Sequence, residues 1–150
     1  MSAHIRKAVR GDLPALIRLY NELSLDDPRE DPSAMREYET ALAAIEKRPD
    51  HHVLVAEEDG AILGSVTVII EPNLTYQARP FALIENVVVT ESARGAGIGA
   101  LIMKEAIDIA RRAGCYKLTL TSNKRRADAH RFYEGLGFNE RKEGFQLRLK

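Results

Sequence analysis

Tryptophan is absent from the chain, and cysteine occurs once, at Cys115. A lone thiol cannot build an internal disulfide framework or a multi-cysteine metal site, and this usage suits a reducing compartment. An excess of either charge is missing too. The 22 Lys and Arg residues offset the 22 Asp and Glu residues, so the chain as a whole has no pull toward nucleic acid or an anionic membrane. No apolar run nears the roughly 20 residues of a membrane span, and "MSAHIRKAVRGD" lacks the apolar middle of a secretory signal. The expectation is a cytosolic protein with neither a membrane nor a nucleic-acid partner, in which Asn73-Leu74-Thr75 matches a glycosylation sequon by chance. Repeats, low-complexity tracts and linkers are missing as well. What remains, 150 residues that are 45% hydrophobic and 29% charged, suffices for a single domain over 1–150 with one core.

Alternation from Ile5 to Val9 predicts a strand that meets a Gly11-Asp12 turn. Asp12 is placed to cap a helix whose apolar face is Leu13, Leu16, Ile17, Tyr20 and Leu23, with Pro14 tolerated in the first turn. A second helix is expected over about 32–47. "HHVLVAEEDGAILGSVTVII" predicts a hairpin about Asp59-Gly60, and "FALIENVVV" a central strand. Ile98, Leu101, Ile102, Ala106, Ile109, Ala110 and Ala113 recur at helical steps up to Gly114. "CYKLTLT" predicts a strand, "RADAHRFYEGLG" a short helix, and "FNERKEGFQLRLK" a terminal pair of strands turning near Gly144. The order implies an α+β fold whose mixed, mostly antiparallel sheet has one parallel crossover, from "LIENVVV" to "YKLTLT".

Three glycines within five positions, Gly95, Gly97 and Gly99, stand where that crossover helix begins. Each weakens a helix by about 1 kcal/mol relative to alanine, so bare backbone must serve another end. A helix start offers unpartnered N–H groups and the positive end of the macrodipole, which together suit an anion such as a phosphate. Arg94 adds a positive charge beside it. Residues 95–100 also fit a G-x-G-x-x-A dinucleotide fingerprint, but "TESA" separates them from the strand and no acid lies between Asp108 and Asp128 to hold a ribose.

Arg94-Gly95-Ala96-Gly97-Ile98-Gly99 resembles the R/Q-x-x-G-x-G/A signature of the GCN5-related N-acetyltransferases, and "AHRFYEGLGF" is similar to their second signature, A-x-x-F/L-Y-E-x-x-G-F. The resemblance implies the sheet of that family, about six to seven strands flanked by about four helices. It implies acetyl-coenzyme A as co-substrate, its pyrophosphate on the N–H groups of residues 95–99 and its pantetheine arm along Val87, Val88 and Val89. Tyr133 matches the tyrosine that protonates the leaving thiolate. Glu85, a carboxylate in an otherwise apolar strand, matches a glutamate that draws a proton from the amine in several relatives; pairing with a neighbouring Arg or Lys explains it equally. Asn86 is expected on the opposite face of the strand. Where the family often has a cofactor-contacting asparagine this chain has Arg126, with Asn123 one helical turn earlier, so either is a candidate for the contact.

Other residues read more simply. Cys115 suits a small core residue, His51, His52 and His130 lack metal-ligand spacing, and no metal is expected. Asp26, Asp27, Glu30 and Asp31 either attract a cationic amine or form caps and turns beside Pro28 and Pro32. The basic run Lys124, Arg125, Arg126 and Arg131 either meets cofactor phosphates or forms a solvated face. The expected activity is direct acetyl transfer to a primary amine, with an amino sugar phosphate or aminoalkylphosphonate favoured over a protein lysine or N-terminus. A non-catalytic acyl-coenzyme A-binding module is the alternative, and a homodimer is compatible with either.

Overall fold

The Asp59-Gly60 pair closes a hairpin. Both residues have positive φ, 51° and 80°, the geometry of a two-residue turn whose twist matches that of its strands. A computed structural model describes residues 2–23, 29–122 and 126–149. Among these, β1 (His4–Lys7), β2 (His51–Glu58), β3 (Ala61–Glu71) and β4 (Phe81–Val89) pair antiparallel in chain order. β5 (Leu118–Leu120) adjoins β4. Tyr116 N–H donates to Pro80 O and Ala82 N–H to Lys117 O, partners that ascend together, so this join is parallel. The chain divides into two compact units, 1–119 and 120–150.

Helices α1 (Leu13–Leu23) and α2 (Met35–Glu46) bring Leu13, Leu16, Leu19 and Leu42 into a cluster with Val53, Val55 and Val88 of the sheet. The crossover helix α3 (Ile98–Arg112) packs on β3 and β4. Gly64 faces α3: a Cβ there would stand 2.7 Å from Ile102 Cδ1 and 2.8 Å from Val88 O. The bare glycine lets helix and sheet approach closely. Gly114, φ 79°, ends the helix, and Cys115 N–H reaches back to Ala110 O at 3.0 Å. Unit 120–150 contains α4 (Ala127–Gly135), where Phe138 N–H returns to Tyr133 O at 3.1 Å.

Strand β4 carries the main departure from regular alternation. Thr67 pairs with Glu85 and Ser65 with Val88, so Asn86 and Val87 together oppose Val66 in a β-bulge. Asn86 takes φ 54°, a conformation asparagine tolerates better than most residues. The extra residue turns Val88 to the face opposite Ile84. Asn86, opposite Val66, stays off the face of Glu85 as alternation expects, and it is Val88 beyond the bulge that regular alternation misplaces.

Three other expectations need correcting. Asp12 does not cap α1. Its Oδ2 accepts Val9 N–H at 2.8 Å within the short turn Arg10–Asp12, and both oxygens bind Arg6, at 2.8 and 2.9 Å. The buried stripe of α3 is Ile98, Ile102, Met103, Ala106 and Ala110, rotated so that Leu101 lies exposed. The final segment forms no strand pair among the described residues. Phe145, Leu147 and Leu149 are 96%, 84% and 87% exposed, and an isolated pair of strands without a packed face has too little to stabilise it. The described sheet therefore has five strands rather than six or seven. No helix of the described residues is long and apolar enough to cross a membrane.

Candidate active site

Beyond Val89 the chain leaves the sheet through one bond, Thr90 N–H to Leu63 O at 2.8 Å, and makes a 3-10 turn at Glu91–Ala93. Arg94 follows, its Nε donating back to Val89 O at 3.2 Å. Gly95 and Gly97 both take φ 84°, which a side chain would strain. A Cβ on either would meet nothing within 4 Å. These glycines thus answer a need for left-handed backbone in open space, not for tight packing. Gly97 is the N-cap of α3, and among the described residues no side chain caps the first N–H groups of that helix. Leu101 N–H begins the helical ladder by donating to Gly97 O at 3.1 Å. No acid occupies the first turn of the helix to offset the positive end of its dipole.

The result is a run of backbone donors over Gly95, Ala96 and Gly97, which are exposed, and Gly99, which is half-buried, preceded by the exposed Arg94. Ile98, between them in sequence, is buried and anchors the helix start against the sheet. Such a cradle can hold an anion of phosphate type. Val87 and Val89, half-buried, and Val88, buried under α1, lead into it. Glu85 stands one bulge earlier on the face of Ser65 and Thr67, and it is exposed, so its carboxylate is solvated and carries no burial cost.

On that face Ser65 Oγ donates to Leu54 O at 2.7 Å, and the Tyr20 hydroxyl meets Ser65. Burial raises the Tyr20 phenol above the ordinary tyrosine value. Arginine or lysine partners for Glu85 are not found among the described residues.

In the second unit Tyr133 is buried on α4, its ring edge-on to Phe132 at 5.3 Å and to Phe138 at 6.0 Å. Burial pushes its phenol up, partly opposed by the positive charge of Arg126, which sits at the N-cap of α4. Tyr133 therefore holds its proton through the neutral range. The expectations for Asn123, Lys124, Arg125, Asp26 and Asp27 lie outside the described residues. Glu30 accepts the Tyr38 hydroxyl at 2.7 Å, and Asp31 Oδ1 caps the Pro32–Ala34 turn through Ser33 N–H at 2.9 Å, which lowers its carboxyl. The cap reading of Asp31 is the one its geometry carries. Burial raises the Cys115 thiol, which leaves it a poor nucleophile.

Residues 16–138 match the model of the acetyltransferase (GNAT) family. The chain belongs to the GNAT family. A GNAT relative, the glucosamine 6-phosphate N-acetyltransferase of Trypanosoma brucei brucei, is 37% identical over 97 residues, 65% of this chain and 64% of that protein. The aminoalkylphosphonate N-acetyltransferase of Salmonella typhimurium is 32% identical over 92 residues, 61% of this chain and 59% of its own length. These alignments thus span under two thirds of either relative. A putative acetyltransferase from Agrobacterium tumefaciens superposes with a TM-score of 0.86 at 41% identity, covering 97% of this chain and 99% of that one. The GNAT sheet and helix order expected from the sequence is the one observed, apart from the strand count.

Two contributors escaped the sequence reading. Gly64 was signalled by a glycine inside a β-branched run. Glu22, which accepts hydrogen bonds from Thr90 and Glu91, was signalled by an acid in the last turn of a helix, where the dipole disfavours it.

Proposed function

We propose that this chain is an acetyl-coenzyme A-dependent N-acetyltransferase acting on a small-molecule primary amine in a ternary complex. The observation that carries the reading is the uncapped, open start of α3 beyond β4. Its donors fit the diphosphate of coenzyme A, and Arg94 adds charge. Backbone groups of Val87, Val88 and Val89 hold the arm of the co-substrate in strand fashion. When bound, acetyl-coenzyme A supplies an acetyl group activated as a thioester.

The remaining chemistry falls to side chains. Glu85, exposed beside the bulge, takes a proton from the ammonium form of the acceptor, directly or through water. The neutral amine attacks the acetyl carbonyl carbon, a C–N bond forms, and the C–S bond breaks. The electron pair leaves with sulfur, the Tyr133 hydroxyl supplies the proton that makes it a thiol, and the second proton that the attacking nitrogen sheds as the amide forms passes through water to restore the phenol. A raised phenol suits this role because the proton is present at neutral pH. Arg126 is the described candidate for a further contact to the co-substrate.

The names of the trypanosomal and Salmonella relatives support an acceptor that carries both an amine and a phosphate or phosphonate. A cytosolic setting, supported by the single cysteine, and a homodimer belong to the same reading. The test is thiol release from acetyl-coenzyme A with a panel of amino sugar phosphates, aminoalkylphosphonates, free diamines and lysine peptides. Turnover is expected with a phosphorylated or phosphonylated small amine. Co-substrate binding without turnover of any amine would leave a binding module instead, and turnover of peptides alone would make the acceptor a protein.

A further inference from the structure

We infer that Glu22 is a positioning residue for the glycine cradle and acts on co-substrate affinity without touching the ligand; the inference rests on the reading of the cradle as the diphosphate site. Both oxygens of its carboxylate are engaged. Oε2 accepts the Thr90 hydroxyl at 2.9 Å, and Oε1 accepts Glu91 N–H, also at 2.9 Å. Both partners stand at the start of the Glu91–Ala93 turn, which leads into Arg94 and the first left-handed glycine. Thr90 is further pinned by Leu63.

The position is a poor one for an acid on local grounds. Glu22 lies in the last turn of α1, at the negative end of that helix, and the turn holds no basic residue to offset it. Local rules broken without local gain mark sites where another demand prevails. Here the demand is the first N–H of the Glu91–Ala93 turn, for which Thr90 itself supplies no side-chain cap. Glu22 provides that cap from 69 residues away in sequence.

The neighbouring residue sharpens the assignment. Asn21 fastens a different segment: its Oδ1 accepts Glu30 N–H at 2.9 Å, and its Nδ2 donates to Glu30 O at 3.3 Å. One helix end therefore ties down two segments through adjacent side chains, only one of which leads to the cradle. A backbone anion site works when its N–H groups are held in place before the ligand arrives, because ordering them on binding lowers affinity. Left-handed glycines allow the required conformation but do not enforce it. Glu22 enforces it at the upstream end, as Ile98 does downstream.

The experiment measures the Kd of coenzyme A by calorimetry, and KM for acetyl-coenzyme A and kcat by thiol release. The variants are Glu22→Ala, Glu22→Gln, Thr90→Val and Asn21→Ala. Glu22→Ala is expected to raise Kd and KM about tenfold, the net worth of roughly one hydrogen bond to a charged group, with kcat within about twofold. Glu22→Gln keeps an acceptor for Glu91 N–H and can donate to Thr90 Oγ, so it restores most of the affinity. Thr90→Val weakens binding less than Glu22→Ala and adds nothing to it in the double variant. Asn21→Ala leaves the Kd of coenzyme A unchanged.

Equal weakening by Asn21→Ala and Glu22→Ala would reduce the effect to a loosened helix end and overturn the inference. Unchanged Kd in Glu22→Ala, with wild-type binding intact, would overturn it while sparing the diphosphate site. If the wild-type protein fails to bind coenzyme A, both readings fall together. Should Glu22→Ala not fold, the Gln and Val variants decide the matter.

Discussion

A phenol packed between aromatic rings gives up its proton less readily than one in water, and Tyr133 is in that position. Its raised value means that the group stays protonated up to and beyond the ordinary tyrosine value of about 10. A basic limb of kcat due to Tyr133 should therefore appear above that pH, with a plateau below it. Replacement by phenylalanine keeps the ring and its packing, so Tyr133→Phe should lower kcat by about a hundredfold with little change in melting temperature or KM for acetyl-coenzyme A. A pH–rate profile with both proteins checks this, and unchanged kcat would remove Tyr133 from the acid role. At this scale the sequence was informative where a residue broke its local pattern. Gly95 and Gly97 stood out as helix-weakening residues at a helix start, and Glu85 as a carboxylate in an apolar strand. Asp12 misled because a carboxylate before a helix satisfies the cap pattern equally well when Val9 N–H and Arg6, three and six residues upstream, claim it.

At the level of elements, the hairpin, the central strand and the crossover helix follow from turn chemistry and periodicity, and they appear where expected. The bulge in β4 does not follow, because "ENVV" alternates no differently with or without an extra residue; the pairing with β3 decides it. The terminal segment errs in the other direction. "FQLRLK" has the alternation of a strand, but alternation describes a face and cannot supply a partner for the backbone. Packing between β3 and α3 offers a direct test of element geometry. Alanine at Gly64 would put a methyl group 2.8 Å from Val88 O, a backbone atom that cannot swing aside. Gly64→Ala should destabilise the fold by about 1–3 kcal/mol through overpacking, seen as a melting point lower by several degrees. An unchanged melting point would mean that α3 does not sit this closely on the sheet.

For the whole molecule, zero net charge places any attraction for an anionic co-substrate in local structure rather than in the overall field. The architecture supplies that local structure in unit 1–119. A strand, a pinned turn, two left-handed glycines and an uncapped helix follow one another within a short stretch of chain, with Val88 before them and Ile98 after them buried in the core. Family and fold were legible because the signature residues are the ones that this backbone path requires. The acceptor was not, since residues that cover an amine need match only the amine. The most direct test is a nitrogen–proton correlation spectrum of the labelled protein titrated with coenzyme A and, separately, with pantetheine, which lacks the diphosphate. Coenzyme A should shift the backbone amides of Gly95, Gly97, Ile98 and Gly99 strongly and saturably, and pantetheine should leave them nearly unmoved. Saturable binding of coenzyme A that leaves those four amides in place would contradict the account.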